Sequence, residues 1–394
     1  MEVNLKCVET FADIYKVYPD GVAFCPYRVC PIGAHVDHNF GKITGFAIDK
    51  GIHIAYKPKK NGVIELISLQ FTKRAQFHIN SVPEEMQLDW ADYLRGAVIE
   101  LSQKYYLHTG LCGVIEGTLP IGGLSSSAAV IIAFLSALCK VNNITLSKEE
   151  IINIALKAEN NYVGVACGKL DQSCEVYSQK GRMLYLDTLD DTYELITPPS
   201  HIKPYKFAIF FSGVERNLTG TKFNVRVDEC KSAAYALMAY AGMDYGSVSE
   251  TVLRDVPFEV FQSYKDRLPV PFAARAEHWY TENMRVEQGV QAFSNGDIEE
   301  YGRLSFQSGK SSIVNWQTGS PELKALFDIM LQTDGIYGGR FSGAGFKGCC
   351  MGIIDPAYEE SIIETVTKKY TEEFPLLKDK FSIHICNSAD GVKI

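Results

Sequence analysis

The run Pro120-Ile121-Gly122-Gly123-Leu124-Ser125-Ser126-Ser127-Ala128-Ala129 leads straight into an apolar stretch over 130–138. Two adjacent glycines, three hydroxyls and a run of helix-compatible apolar residues describe a tight turn feeding a helix. The first N–H groups of a helix lack intrahelical acceptors and sit at the positive end of its dipole, so an anion there meets donors and charge together. Glycine lets the backbone approach such a ligand closely. No lysine follows the second glycine in a GK[ST] arrangement, so the logic of the Walker loop does not transfer. Taken alone, the same residues also describe a Gly/Ser turn that merely caps a core helix.

At 394 residues the chain exceeds what one core usually serves, so two domains are expected. A Pro198-Pro199 break before the strand-like 206–212 places the division at 1–203 and 204–394. A net charge of −8 argues against a broad nucleic-acid or anionic-membrane surface and favours small-molecule chemistry. The eleven cysteines form no paired CxxC motif, and the neighbours Cys349-Cys350 suit a disulfide poorly. Reduced thiols and a cytoplasmic location are the expectation. The longest apolar run, 128–139, is too short to span a bilayer, and 1–18 has no signal-like apolar core.

Strands are predicted within 22–79, for example at 52–56 and 63–67, and again at 111–117. Helical spacing covers 90–106, 125–140 and 148–162. Beyond the strand at 206–212, helices are predicted over 223–241 and 275–293, then a strand–turn–strand over 337–354, a helix over 358–370 and a last strand at 381–386. Without regular βαβ alternation, the fold class is α+β.

Three further constellations carry chemistry. Arg28, His35, Asp37 and His38 crowd a Pro/Gly-punctuated segment from Cys25 to His38, which also reads as a solvated turn or, more remotely, a metal site. Glu159 closes a helix, and Gly168 precedes Asp171, an acid that by itself reads as a cap. Gly343 and Gly345, in the block Arg340 to Cys350, either close a hairpin or pass backbone beside a phosphate held at Gly122.

All these blocks, in this order and spacing, resemble the GHMP small-molecule kinases, and the first resembles the signature of their galactokinase group. That signature runs Arg-x-x-x-Ile-Gly-Glu-His-x-Asp-Tyr, and this chain reads Arg28, Ile32, Gly33, Ala34, His35, Asp37 and His38. The departures Ala34 and His38, the Cys-Pro-Tyr-Arg-Val-Cys-Pro opening, the Arg275 to His278 and Glu282 to Val286 segments and the Arg340 to Cys350 block look like the galacturonokinase branch.

The resemblance implies an N-terminal domain like ribosomal protein S5, a ferredoxin-like C-terminal domain and an active site in the cleft. It implies ATP as phosphoryl donor and the anomeric hydroxyl of D-galacturonate as acceptor, with D-galactose the rival substrate and a non-catalytic sugar sensor the rival of another class. Such sensors lose residues of the Gly/Ser loop, whereas Ser125 to Ala129 is uninterrupted here. Carried over residue by residue, Asp171 and Arg28 are catalytic, Asp171 as base or as electrostatic partner of the anomeric hydroxyl. Ala34, His35, Asp37, His38, Gly168 and Phe223 face the sugar. Gly122, Gly123, Leu124, Ser125, Ser126, Ser127, Ala128, Gly343 and Gly345 hold the nucleotide, and Ser127 with Glu159 binds Mg2+. Phe223 stands where galactokinases carry a sugar-contacting Tyr, so one neutral hydrogen bond is lost.

Ala34 carries a charge argument. In galactokinases the replaced Glu accepts from the sugar 6-hydroxyl; a uronic acid has a carboxylate there, and two carboxylates in contact repel. His38, protonatable near neutrality, is expected to donate to that carboxylate; Lys222, Arg226 and Arg216 are further basic candidates, though each reads first as a solvated charge.

Overall fold

The computed structural model describes residues 5–214 and 222–393. In chain order its strands are β1 (Gly21–Val29), β2 (Lys42–Lys59), β3 (Val63–Ser68), β4 (Ala75–His78), β5 (Gly110–Gly117), β6 (Met183–Asp187), β7 (Tyr193–Ile196), β8 (Lys206–Phe211), β9 (Ile336–Phe341), β10 (Cys349–Ile354), β11 (Ser382–Cys386) and β12 (Ser388–Ala389). Its helices are α1 (Lys6–Tyr15), α2 (Asp92–Ser102), α3 (Ser126–Asn142), α4 (Lys148–Lys157), α5 (Leu170–Tyr177), α6 (Phe223–Ala241), α7 (Phe258–Tyr264), α8 (Val270–Ser294), α9 (Ile298–Val314), α10 (Pro321–Leu331) and α11 (Glu359–Glu373).

The long strand β2 organises the first sheet, pairing with β1, β5, β6 and β12. Against β1, β2 and β5 lies α3, covered on its other side by α2, α4 and α5. Helix α3 is therefore enclosed, which is why 130–138 is apolar all round and not amphipathic. The second sheet has the order β11-β8-β10-β9, the ferredoxin-like arrangement, and α10 and α11 bury Leu326, Met330, Ile362 and Val366 against it. We propose 203/204 as the division between the halves. The tail beyond it, with β12 on β2 and Val392 N–H on Glu175 O at 2.8 Å, returns to the first sheet.

The α+β class stands, with local differences from the sequence reading. The helix expected over 148–162 ends at Lys157 and continues as a π-helical turn, Ala158–Val163. Helix α9 was not anticipated because, beyond Ile298, Tyr301 and Leu304, its inward face is built from Gly302, Ser305, Ser308, Gly309, Ser311 and Ser312, a loop-like composition. Those small residues let β9 come close: a Cβ on Gly338 would stand 2.1 Å from Gly302 O.

One face of α8 grips loop 30–41, which joins β1 to β2. His278 Nε2 donates to Ala34 O at 3.0 Å and Trp279 Nε1 to Val36 O at 3.2 Å. A turn later Glu282 Oε1 accepts from Gly33 N–H at 2.7 Å, and Asn283 Oδ1 accepts from Lys42 N–H at 2.7 Å. Gly33 has φ +101, and a Cβ there would meet Ile43 Cα at 2.7 Å. Glu282 is fully buried. Burial works against its charge, yet Arg285, His278 and Arg340 together bring its carboxyl down to about 2. Arg285 Nε lies 2.8 Å away and Arg340 Nη1 3.4 Å, while Ser308 Oγ donates to the same oxygen as Gly33.

Replacing Glu282 by Ala strands the buried Arg340 guanidinium, and a stability loss of about 3–5 kcal/mol is expected in urea denaturation. A loss below about 1 kcal/mol, the range of an exposed pair, would show that Arg340 does not depend on this carboxylate.

Candidate active site

Between the two sheets lies a cavity of about 880 Å³ whose walls come from both halves of the chain. Arg28 at the end of β1 reaches Asp171 at the start of α5: Nε and Nη2 each stand 2.7 Å from Oδ1. The arginine side chain is 3% exposed and the aspartate 28%, so the free part of the carboxylate faces the cavity. Burial opposes the Arg28 charge, but the Asp171 carboxylate outweighs it and keeps the guanidinium protonated. Arg28 Nη1 also donates to Gly123 O at 3.0 Å, linking this pair to the glycine loop.

Asp37 stands beside that pair, its Oδ2 accepting from Leu170 N–H at 3.1 Å. Burial pushes its carboxyl up to about 6 against the pull of that N–H. Gly168 closes on Asp37 so tightly that a Cβ would lie 2.5 Å from Oδ2. The loop carrying Gly168 is held by α6, where Asn224 accepts from Ala166 N–H at 3.1 Å and donates to Gly164 O at 2.9 Å.

The two glycine-rich segments interleave. A Cβ on Gly348 would stand 2.9 Å from Gly122 C, and one on Gly343 would stand 2.9 Å from Gly123 Cα. Cys349 Sγ adds a contact to Gly122 O at 3.2 Å. Ser125, the residue before α3, has φ +61 and makes no side-chain cap bond, so strain is concentrated where the helix meets the cavity. Gly122, Gly123, Ser125, Ser126, Ser127, Gly343 and Gly345 all line the cavity. Leu124 and Ala128 do not: both side chains are buried in the protein interior, on either side of the three serines that face the cavity.

Glu159 enters from the π-helical turn, a feature that re-aims side chains at functional sites. It accepts from Gln172 Nε2 at 2.5 Å and from Ser127. Burial, then the Asp171 charge, pushes it up to about 7. Glu159 with Ser127 can therefore hold a hard cation that keeps phosphate oxygens and waters as its other ligands.

Ala34, His35 and Phe223 also line the cavity. His35 has φ +64 and stacks on the buried Trp316 ring at 5.0 Å; its Nε2 is buried without a partner among the described residues. His38 corrects the sequence reading. Its ring lies on Trp316 at 5.3 Å, outside the cavity lining, with Nδ1 2.6 Å from Asn39 Nδ2. Burial, then the neighbouring His278, brings it down to about 3, so the protonated donor expected there is absent. Nor do Lys222 and Arg226 reach the cavity; Arg226 instead donates to Trp316 O at 3.1 Å and pairs with Glu229. Arg216 lies outside the described residues.

Comparison with known proteins matches residues 92–179 to the GHMP kinases N terminal domain and 290–372 to the GHMP kinases C terminal. Residues 9–58 match the galactokinase galactose-binding signature. A galacturonokinase of Arabidopsis thaliana is 36% identical, with 95% of this chain and 93% of that protein covered. The chain belongs to the GHMP kinase family. Within it, a galactokinase of Roseiflexus sp. (strain RS-1) is 30% identical over 98% of this chain and 95% of its own. The crystal structure of Lactococcus lactis galactokinase complexed with galactose superposes with a TM-score of 0.87 at 25% identity, covering 98% of each chain. This GHMP kinase is thus a sugar kinase of galactokinase type. No helix among its described residues is long and apolar enough to cross a membrane.

The sequence reading missed Gln70, Phe71, Trp90 and Tyr93, which wall the cavity from the segment after β3 and from the start of α2. Phe71 and Trp90 stack at 6.1 Å, but they are 19 positions apart with no pattern linking them. Gln172 was legible only as the neighbour of Asp171. Burial pushes the carboxyls of Asp37 and Glu159 up, to about 6 and about 7. Since kcat/KM reports the free enzyme, it is expected to fall as pH drops through this window. A kcat/KM for sugar that stays level down to about pH 5 would remove both carboxylates from substrate capture.

Proposed function

We propose that this enzyme transfers the γ-phosphoryl group of ATP to the anomeric hydroxyl of D-galacturonate, giving galacturonate 1-phosphate and ADP. The observation that carries this reading is Ala34, which lines the cavity where the galactokinase signature has Glu. The sugar carboxylate then meets no fixed acid at that position. His35 Nε2, buried beside Ala34 without a partner among the described residues, is the donor available to it. The galacturonokinase at 36% identity supports the same assignment. Galactose is the second reading, favoured by the fold match to a galactokinase complexed with galactose.

In the proposed reaction Asp171 accepts the proton of the anomeric hydroxyl while Arg28 fixes the carboxylate and offsets charge on the moving phosphoryl group. Asp37 accepts from sugar hydroxyls, with Gly168 leaving room against it. Phe223 covers the sugar without a hydroxyl of its own. The interleaved glycine segments and the first turn of α3 receive the phosphates. Magnesium fits Ser127 and Glu159, because this carboxyl, pushed up first by burial and then by Asp171, has no cationic side chain among its partners Gln172, Ser127 and Cys167. When bound, the cation withdraws charge from the phosphate oxygens.

Initial rates of ADP release are expected to give a higher kcat/KM on D-galacturonate than on D-galactose; the reverse order makes galactose the substrate. Asp171→Asn should keep the fold and nucleotide binding and lose turnover about 100-fold or more, the scale of a positioned base. Near-parental activity would remove Asp171 from proton transfer. Ala34→Glu should move the substrate ratio toward galactose, by restoring an acceptor and adding repulsion. An unchanged ratio would break the charge argument.

A further inference from the structure

Three carboxylates line the cavity, Asp37, Glu159 and Asp171, against two fixed cations, Arg28 and Lys347. Arg28 is committed to Asp171 and to Gly123 O. Lys347 is exposed and has neither a hydrogen bond nor an ion pair among the described residues. A cavity whose own charge is net negative is a poor host for a nucleoside triphosphate unless uncommitted positive charge lies along the phosphate path.

The backbone around Lys347 is anchored while its side chain is left unengaged. Ser212 N–H and Oγ donate to Gly348 O at 2.9 and 2.8 Å. Gly348, at φ +100, lies against Gly122 so closely that no Cβ fits between them. Lys347 is thereby placed beside the Gly122–Gly123 turn and the open first turn of α3. We propose that Lys347 binds the β- and γ-phosphates of the nucleotide, adding an uncommitted side-chain charge to those of Arg28 and the magnesium that arrives with the nucleotide. This rests on the kinase reading and adds to it a residue outside the catalytic pair and the metal ligands.

The test is equilibrium titration of the whole protein with a fluorescent ATP analogue in Mg2+, without sugar, and competition by ATP, ADP and AMP. Lys347→Met should weaken ATP about fivefold to tenfold, the scale of one charge-assisted contact at a half-open site, and leave AMP unchanged. Lys347→Arg should stay within about twofold of the parent, since it restores the charge. Equal ATP affinity in the parent and Lys347→Met overturns the proposal, as does an equal loss for ATP and AMP, which would signal a structural defect. An unchanged ATP affinity with a raised KM for sugar overturns it too, and moves Lys347 to the sugar carboxylate. Failure of the unaltered protein to bind the analogue overturns the kinase reading and this proposal together, whereas the other failures leave that reading intact.

Discussion

The buried contact of Glu282 with Gly33, Arg285 and Arg340 is the constraint on which the site depends. Its carboxylate sits on α8, far along the chain, yet one of its oxygens accepts from the N–H of a glycine in loop 30–41 at 2.7 Å. The same group faces Arg340, which lies on the strand that runs into the glycine-rich loop over 342–348. One fully desolvated charge therefore ties the proposed sugar loop of the first half to the proposed phosphate loop of the second. Buried ion pairs earn little net stability, but breaking one is expensive, so they suit the task of holding two loops in a single relation.

A second level of order follows from the glycines. Gly122 and Gly123 lie against Gly348 and Gly343 with no room for a Cβ, so the two loops touch backbone to backbone. Arg28 joins the same contact through Gly123 O while holding Asp171. Alignment of this kind matters for phosphoryl transfer, where positioning and charge neutralisation supply most of the catalysis. Burial, and after it the Asp171 charge, pushes Glu159 up to about 7.

Around Ala34 the charges behave differently. His278 comes down to about 4 and His38 to about 3, in both cases chiefly through burial, and His35 is driven below its usual value for the same reason. The three rings gather about Trp316, His35 and His38 stacked on it and His278 tilted against it, and of the three His35 lines the cavity.

The sequence by itself determined the local pieces: the turn before α3, the apolar helix behind it, the Arg28 to Asp37 signature and the full span of α6, since each is written in contiguous residues with a pattern of its own. Helix α9 was hidden because its Ser and Gly face is shaped by β9 and not by water. Tertiary structure alone decided that Leu124 and Ala128 face inward, that His38 sits behind the cavity as a neutral ring, and that Phe71 and Trp90 share its wall. It also decided that Glu282 and Arg340, 58 residues apart, become one ion pair. Contacts of that separation depend on how the two halves close on each other, and burial, which sets the charge of every group in the cavity, exists only once they have.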